Sequence, residues 1–377
     1  MNVKTVQKMR RKNWKKFLSV TLGVVFVFLG VCGCENGKKS TGDLEKIVVY
    51  TPDGAPAVAL AQMMNEKSVI ADKTMEYRVV SPSLIASKIA NKDETKNADV
   101  CVLPVTAASK LVGDGTRYQA IGAVTNGNLY LISNQETVIE KFSGFEREDI
   151  SCLIGKTVGV MKINEVPGLT FKSVLDGYGV AWQEIKNDGA IAEDKINLQA
   201  ISDATAVDPL ADVACWLVAE PAASVQISKN GFSIVADLTE LYHDSNQTDA
   251  VFASAGGAVQ FYAGYPQAVA IVKKSLAENE REWLSAFIDA LKTSACLPTV
   301  WELGGEKIVQ TVSAHLEDKA YSTTLKAEVL TRETLARCGI GFGENRLVKE
   351  GIMRYLQRIV AVNANAAKEV GEEFFCF

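Results

Sequence analysis

Three times between residues 46 and 112, a short β-rich run passes through a loop of turn-forming residues into a segment with helical apolar spacing. The runs cover residues 47–50, 77–80 and 99–103, and their loops are Thr51-Pro52-Asp53-Gly54-Ala55-Pro56, Ser81-Pro82-Ser83 and Pro104-Val105-Thr106. Asp53-Gly54 suits a turn, and Pro56 suits the first turn of the helix that follows. Consecutive strand, loop and helix units require crossover connections and so predict a parallel sheet. Ligands of such sheets sit outside the carboxyl ends of the strands, which puts the three loops on one rim.

A longer strand over 126–132, starting Asn126-Gly127-Asn128, is predicted to leave this first set. Thr157-Val158-Gly159-Val160 opens a second, with Lys162, Asn164, Glu165, Val166 and Gly168 in its loop and a helix over 169–178. Residues 212–218 have a buried-strand pattern ahead of Glu220-Pro221, and 232–235 read as a further strand, so the second set is also expected to be parallel. Residues 242–264 read as a long loop or insertion, and 268–272 as a second long strand. Trp283, Leu284, Phe287, Ile288 and Leu291 share one helical face, and the rest of the chain reads as mostly helical.

The predicted fold class is therefore α/β, with two parallel-sheet lobes joined by two hinge crossings. Residues 46–128 and 268–377 are assigned to the first lobe and 129–267 to the second, with the C-terminal helices packing back on the first.

The segment before this body reads as an export signal. Residues 1–16 carry seven Lys and Arg, residues 17–31 are uncharged, and Val31-Cys32-Gly33-Cys34 follows. Fifteen uncharged residues that include Ser19, Thr21 and Gly23 fall short of the roughly 20 apolar residues that span a bilayer. The order resembles a bacterial lipoprotein signal, which implies cleavage after residue 33 and lipidation of Cys34. Residues 34–45 are polar and aperiodic and read as a flexible tether. The protein is thus expected outside the cytoplasm, anchored to the cell membrane.

Without residues 1–33, the 40 Lys and Arg fall to 33 against 45 Asp and Glu, a net charge of −12. Nucleic-acid affinity comes mainly from cations on phosphates, so that partner is excluded. Besides Cys34 six cysteines remain, at 101, 152, 215, 296, 338 and 376, with no Cys-x-x-Cys and only two histidines, His243 and His315. That pattern offers no metal site and no cofactor. Cys101 and Cys215 lie in apolar runs and read as core. Gly155-Lys156-Thr157 imitates the end of a phosphate loop, but Ile150 stands where its first glycine belongs. Gly339-Ile340-Gly341-Phe342-Gly343 follows no convincing strand and is not read as a dinucleotide fingerprint.

Several short pieces, in this order and spacing, resemble the solute-binding lipoproteins of bacterial ABC importers, in the group that handles nitrate, alkanesulfonates and thiamine-precursor pyrimidines. They are the strand into residues 51–56, Ala98-Asp99-Val100 ahead of Pro104, residues 153–160, Asp212 through Glu220-Pro221, and Tyr265-Pro266-Gln267. The resemblance implies a periplasmic-binding-protein type II-like fold that closes on a small solute and passes it to a permease and its ATPase, working as a monomer and catalysing nothing. The alternatives are a ligand-sensing lipoprotein and an enzyme on the same fold, similar to pyrimidine-precursor synthases. The export signal and the lack of the synthases' cysteine-rich segment argue against the enzyme.

The ligand-binding residues expected on this reading are Thr51, Asp53, Gly54, Ala55, Ser83, Pro104, Val105, Thr106, Asn126, Asn164, Glu165, Val166, Glu220 and Tyr265. Free N–H groups at helix starts can hold an anionic or carbonyl group without a cation. No loop among them carries an arginine, whereas Asp53, Glu165 and Glu220 bring three carboxylates. That balance favours a neutral or amine-bearing heterocycle over a strong anion. Tyr130 and Tyr265, near the crossings, are candidates to stack on a ring.

Overall fold

The computed structural model describes residues 45–142, 150–186, 189–245 and 264–377. The signal, Cys34 and most of the insertion expected over 242–264 lie outside the described residues. The described strands form one seven-stranded and one six-stranded sheet.

The first sheet contains β1 (Lys46–Pro52), β2 (Val69–Ile70), β3 (Lys73–Val80), β4 (Val100–Pro104), β5 (Tyr118–Asn126), β12 (Pro266–Lys273) and β13 (Ile340–Glu344), in the order β13-β5-β12-β4-β1-β3-β2. β1 runs parallel to β3 and to β4, which is the arrangement the three opening units predict. Their residues are apolar on both faces because helices cover both: Val49 and Val79 face one cluster, Tyr50 and Val80 the other.

The second sheet contains β6 (Leu129–Ser133), β7 (Thr157–Met161), β8 (Trp182–Ile185), β9 (Ile196–Ile201), β10 (Cys215–Ala219) and β11 (Ser233–Asp237), in the order β11-β6-β10-β7-β9-β8. β7, β8, β9 and β10 are parallel, as expected, but β6 runs antiparallel to both of its neighbours. The strand expected over 126–132 is two strands, because Gly127 and Asn128 break the run where the chain leaves one sheet for the other. Gly127 has φ 63°.

The described helices are α1 (Ala55–Ala59), α2 (Ala61–Glu66), α3 (Val105–Val112), α4 (Glu136–Lys141), α5 (Val166–Tyr178), α6 (Ala222–Asn230), α7 (Leu238–Ser245), α8 (Lys274–Asn279), α9 (Arg281–Ser294), α10 (Leu297–Leu303), α11 (Gly305–Ala314), α12 (Arg332–Arg337) and α13 (Asn345–Val362). The helix expected to start at Leu84 is instead part of a run of 3₁₀ turns over Pro82–Ile89. On α9 four of the five residues of the predicted face, Trp283, Leu284, Phe287 and Leu291, are buried, each contributing about 1.5–3 kcal/mol by leaving water, and Ile288 is half-buried against the same cluster. The C-terminal stretch is not wholly helical, because residues 340–344 form the edge strand β13 on β5. α13 packs against α3, β5 and β12 of the first lobe and also against α5 of the second. Among the described residues no helix is long and apolar enough to cross a membrane.

Candidate functional site

Register places the strand ends. β12 is antiparallel to β4 with Ala268 opposite Pro104, β5 is antiparallel to β12 with Asn126 opposite Pro266, and β13 is antiparallel to β5 with Ile340 opposite Thr125. One edge of the first sheet therefore carries Pro52 and Asp53, Ser81, Pro104, Asn126, Pro266 and the residues just before Ile340. In the second sheet Leu129 lies opposite Ala219 and Asp237 opposite Tyr130. Its corresponding edge carries residues 161–166, Glu220, Asn128 and Asp237.

The chain passes from the first edge to the second over residues 126–129, and bonds within each edge fix this passage. Glu220 N–H donates to the Asn128 carbonyl at 2.8 Å, and Asn128 Nδ2 returns a bond to the Glu220 carbonyl at 3.1 Å. Asn126 N–H donates to the Gly339 carbonyl at 2.9 Å. A Cβ on Gly339, whose φ is 60°, would lie 1.9 Å from the Gly127 carbonyl oxygen, so this approach admits only glycine.

Of the three carboxylates expected in the cleft, two are committed to protein donors. Asp53, 5% exposed, accepts from Thr323 Oγ1 at 2.6 Å, Thr324 N at 2.7 Å, Thr324 Oγ1 at 2.9 Å and the Tyr321 hydroxyl at 3.0 Å. Those four bonds hold a loop after α11 over the end of β1. Glu220 accepts from Ser224 N and Ser224 Oγ, both at 2.9 Å, and from Arg337 Nε at 2.7 Å. Its position at the start of α6 also suits the positive end of the helix. Glu165 is exposed, with Lys162 Nζ 3.6 Å away.

The remaining expected residues divide by burial. Thr51, Ala55, Val105, Thr106 and Val166 are buried, and the Thr51 hydroxyl lies 3.4 Å from the Pro52 carbonyl. Gly54 precedes α1 with φ 103°, and Pro104 precedes α3. Ser83 is exposed and pairs with Ser81 through their hydroxyls at 3.1 Å. Asn164 is exposed beside Glu165. Neither α3 nor α5 has a side-chain cap. Tyr265 is fully buried, stacked on Tyr355 with centroids 6.0 Å apart and edge-on to Tyr242 at 5.4 Å. Tyr130 donates its hydroxyl to the Arg337 carbonyl at 3.1 Å. Both rings are thus part of the packing that joins the lobes.

At the crossings Asn126 Nδ2 and Asn128 Oδ1 are buried and have no protein partner among the described residues. Asp237, on the same edge as Asn128, is pushed above the ordinary carboxylate value by burial, against the opposing donation from Thr239 and Tyr130 and the charge of Arg337. Sequence reasoning missed Arg337, Thr334, Lys172 and the 321–324 loop, all of which reach the site from positions no local motif marks.

No protein-family model and no curated protein matches the chain. Solved structures do. An ABC transporter structure from Parabacteroides distasonis is similar with a TM-score of 0.61 at 18% identity, over 87% of this chain and 98% of that one. The periplasmic aliphatic sulphonate binding protein SsuA from Escherichia coli gives 0.55 at 10%, over 86% and 95%. The ligand-binding component of an ABC-type import system from Staphylococcus aureus, solved with zinc bound, gives 0.52 at 9%, over 88% and 96%. The chain has the periplasmic-binding-protein type II-like fold. Among the described residues no group of three or more His, Cys, Asp and Glu is placed to hold a metal ion.

Proposed function

We propose that this chain is the extracytoplasmic, lipid-anchored solute receptor of an ABC importer, held to the membrane through Cys34. It acts as a monomer that takes one small molecule between its lobes and delivers it to a permease driven by its ATPase. The observation that carries the reading is that two strand-end edges are joined by the passage from β5 to β6, where Asn126 and Asn128 keep buried polar atoms without a protein partner among the described residues. A solute that touches both edges stabilises the closed state by the difference between its affinities for closed and open forms.

The solute is proposed to rest on residues 51–55, Ser83, 104–106, Asn126 and 164–166. Asp53 and Glu220 shape the two edges, and Tyr265 packs behind them. With two carboxylates consumed, the open groups are mostly donors: the uncapped starts of α3 and α5 and the Asn126 amide. An uncapped helix start has free N–H groups and favours negative charge. The balance therefore moves from an amine-bearing heterocycle towards a solute that offers oxygen acceptors.

Isothermal titration with butanesulfonate and with an aminopyrimidine tests this choice. Tight binding of butanesulfonate alone supports it, and tight binding of the aminopyrimidine alone contradicts it. Loss of uptake of the bound solute on deletion supports delivery, and unaffected uptake contradicts it.

A further inference from the structure

Beneath the loop that joins β7 to α5 lies a buried lysine. Lys172, on α5, has 3% of its side chain exposed. Its Nζ donates to Glu184 Oε1 at 2.6 Å, to the Ile163 carbonyl at 2.9 Å and to Asn164 Oδ1 at 3.3 Å. The Trp182 ring centroid lies 5.3 Å from the same nitrogen. An ammonium has three protons and accepts nothing, so these three oxygens use its full capacity. A charge this deep persists only with such complete pairing.

Two of the three acceptors belong to the loop over 162–165. That loop begins with Lys162 at φ 52°, a left-handed conformation that a residue with a side chain adopts only under constraint. Lys162 N–H donates to the Ile201 carbonyl at 3.0 Å, and Glu165 N–H to the Lys162 carbonyl at 2.8 Å. The loop is pinned from β9 on one side and from Lys172 underneath.

Pinning fixes chemistry as well as position. Only the carbonyl end of the Asn164 amide can face an ammonium, which leaves its NH₂ end directed away from Lys172. No described residue accepts from that nitrogen, and Asn164 is exposed on the edge of the second lobe. We infer that Lys172 is a positioning residue that locks Asn164 with its amide donors outward, and that the solute presents an anionic oxygen acceptor to them. This inference rests on the solute-receptor reading and extends it to the chemistry of one contact.

Two measurements on the full chain test it. The first needs no solute: the side-chain amide resonances of Asn164 move on Lys172→Met, stay near their wild-type position on Lys172→Arg, and do not respond to a Lys156→Met control. Resonances unmoved in folded Lys172→Met overturn the positioning role. The second is calorimetry with butanesulfonate and butyrate. Asn164→Asp keeps an acceptor for Lys172 but turns the outward donors into acceptors, so affinity for these anions falls about ten-fold or more. Lys172→Arg loses less than Lys172→Met. An unchanged dissociation constant in Asn164→Asp overturns the solute contact while the receptor reading stands. If neither these anions nor an aminopyrimidine binds the wild-type chain, the receptor reading itself is contradicted, and the resonances alone decide the role of Lys172.

Discussion

Arg337 on α12 donates Nε–H to Glu220 Oε1 at 2.7 Å, so a side chain 117 positions further along the chain neutralises a glutamate with no exposed side-chain surface. The bond joins the first lobe to the second. Arg337 Nη2 adds a bond to Ser224 Oγ at 2.9 Å, and Ser224 Oγ lies 3.0 Å from Thr334 Oγ1. Arg337→Ala leaves Glu220 buried with Ser224 as its remaining side-chain partner. Because 31% of the Arg337 side chain is exposed, the expected loss lies at the lower end for a broken buried pair, about 3 kcal/mol. A lower urea midpoint at unchanged slope reads this loss. Adding Glu220→Gln recovers part of it, and an unaltered midpoint in Arg337→Ala contradicts the account.

Asp53 is expected to act on stability more than on solute chemistry. Asp53→Ala strips four donors of their acceptor and releases the 321–324 loop. The expected cost is about 3 kcal/mol, with faster hydrogen exchange at the Thr324 amide. Asp53→Asn, which keeps one acceptor oxygen, loses less. A variant as stable as wild type that has lost its solute would instead assign Asp53 to direct binding.

Burial raises the Asp237 carboxyl above its ordinary value of 3.8. An acid with a raised folded value binds more protons folded than unfolded in the interval between the two values. Its contribution to stability is therefore complete below 3.8 and is lost as pH rises through the folded value. Asp237→Asn removes this dependence. Urea midpoints measured across that interval show a shallower fall with pH in the variant than in wild type, and parallel curves contradict the assignment.

The six described cysteines differ in access. Cys101, Cys215 and Cys338 are buried, and burial pushes each thiol up. Cys296 is exposed. An aromatic disulfide reagent is expected to modify Cys296 first, Cys152 and Cys376 more slowly, and the buried three only on unfolding. Mass mapping that finds Cys101 or Cys215 modified early contradicts the packing described.

Local signals carried the sheets well. The β-rich runs ending in Asp53-Gly54 and Pro104 became adjacent parallel strands, because continuous apolar runs and turn chemistry act over a few residues. The break at Gly127-Asn128 was harder to read, since apolar residues continue from Leu129 and only the change of sheet separates β5 from β6. β13 escaped because Gly339, Gly341 and Gly343 dilute its β propensity, and pairing with β5 stabilises it. Glu165 and Asn164 are legible as exposed residues of a loop. That Glu220 is spoken for by Arg337, and Asp53 by Thr323 and Thr324, depends on contacts across more than a hundred residues and leaves no mark in either neighbourhood.

Small-angle scattering, with and without a solute that binds in calorimetry, tests the central claim most directly. A molecule gripped by both lips draws the lobes together, so the radius of gyration is expected to fall on addition and to recover on removal. A scattering curve that stays the same while calorimetry reports saturation would contradict a cleft that closes on its solute.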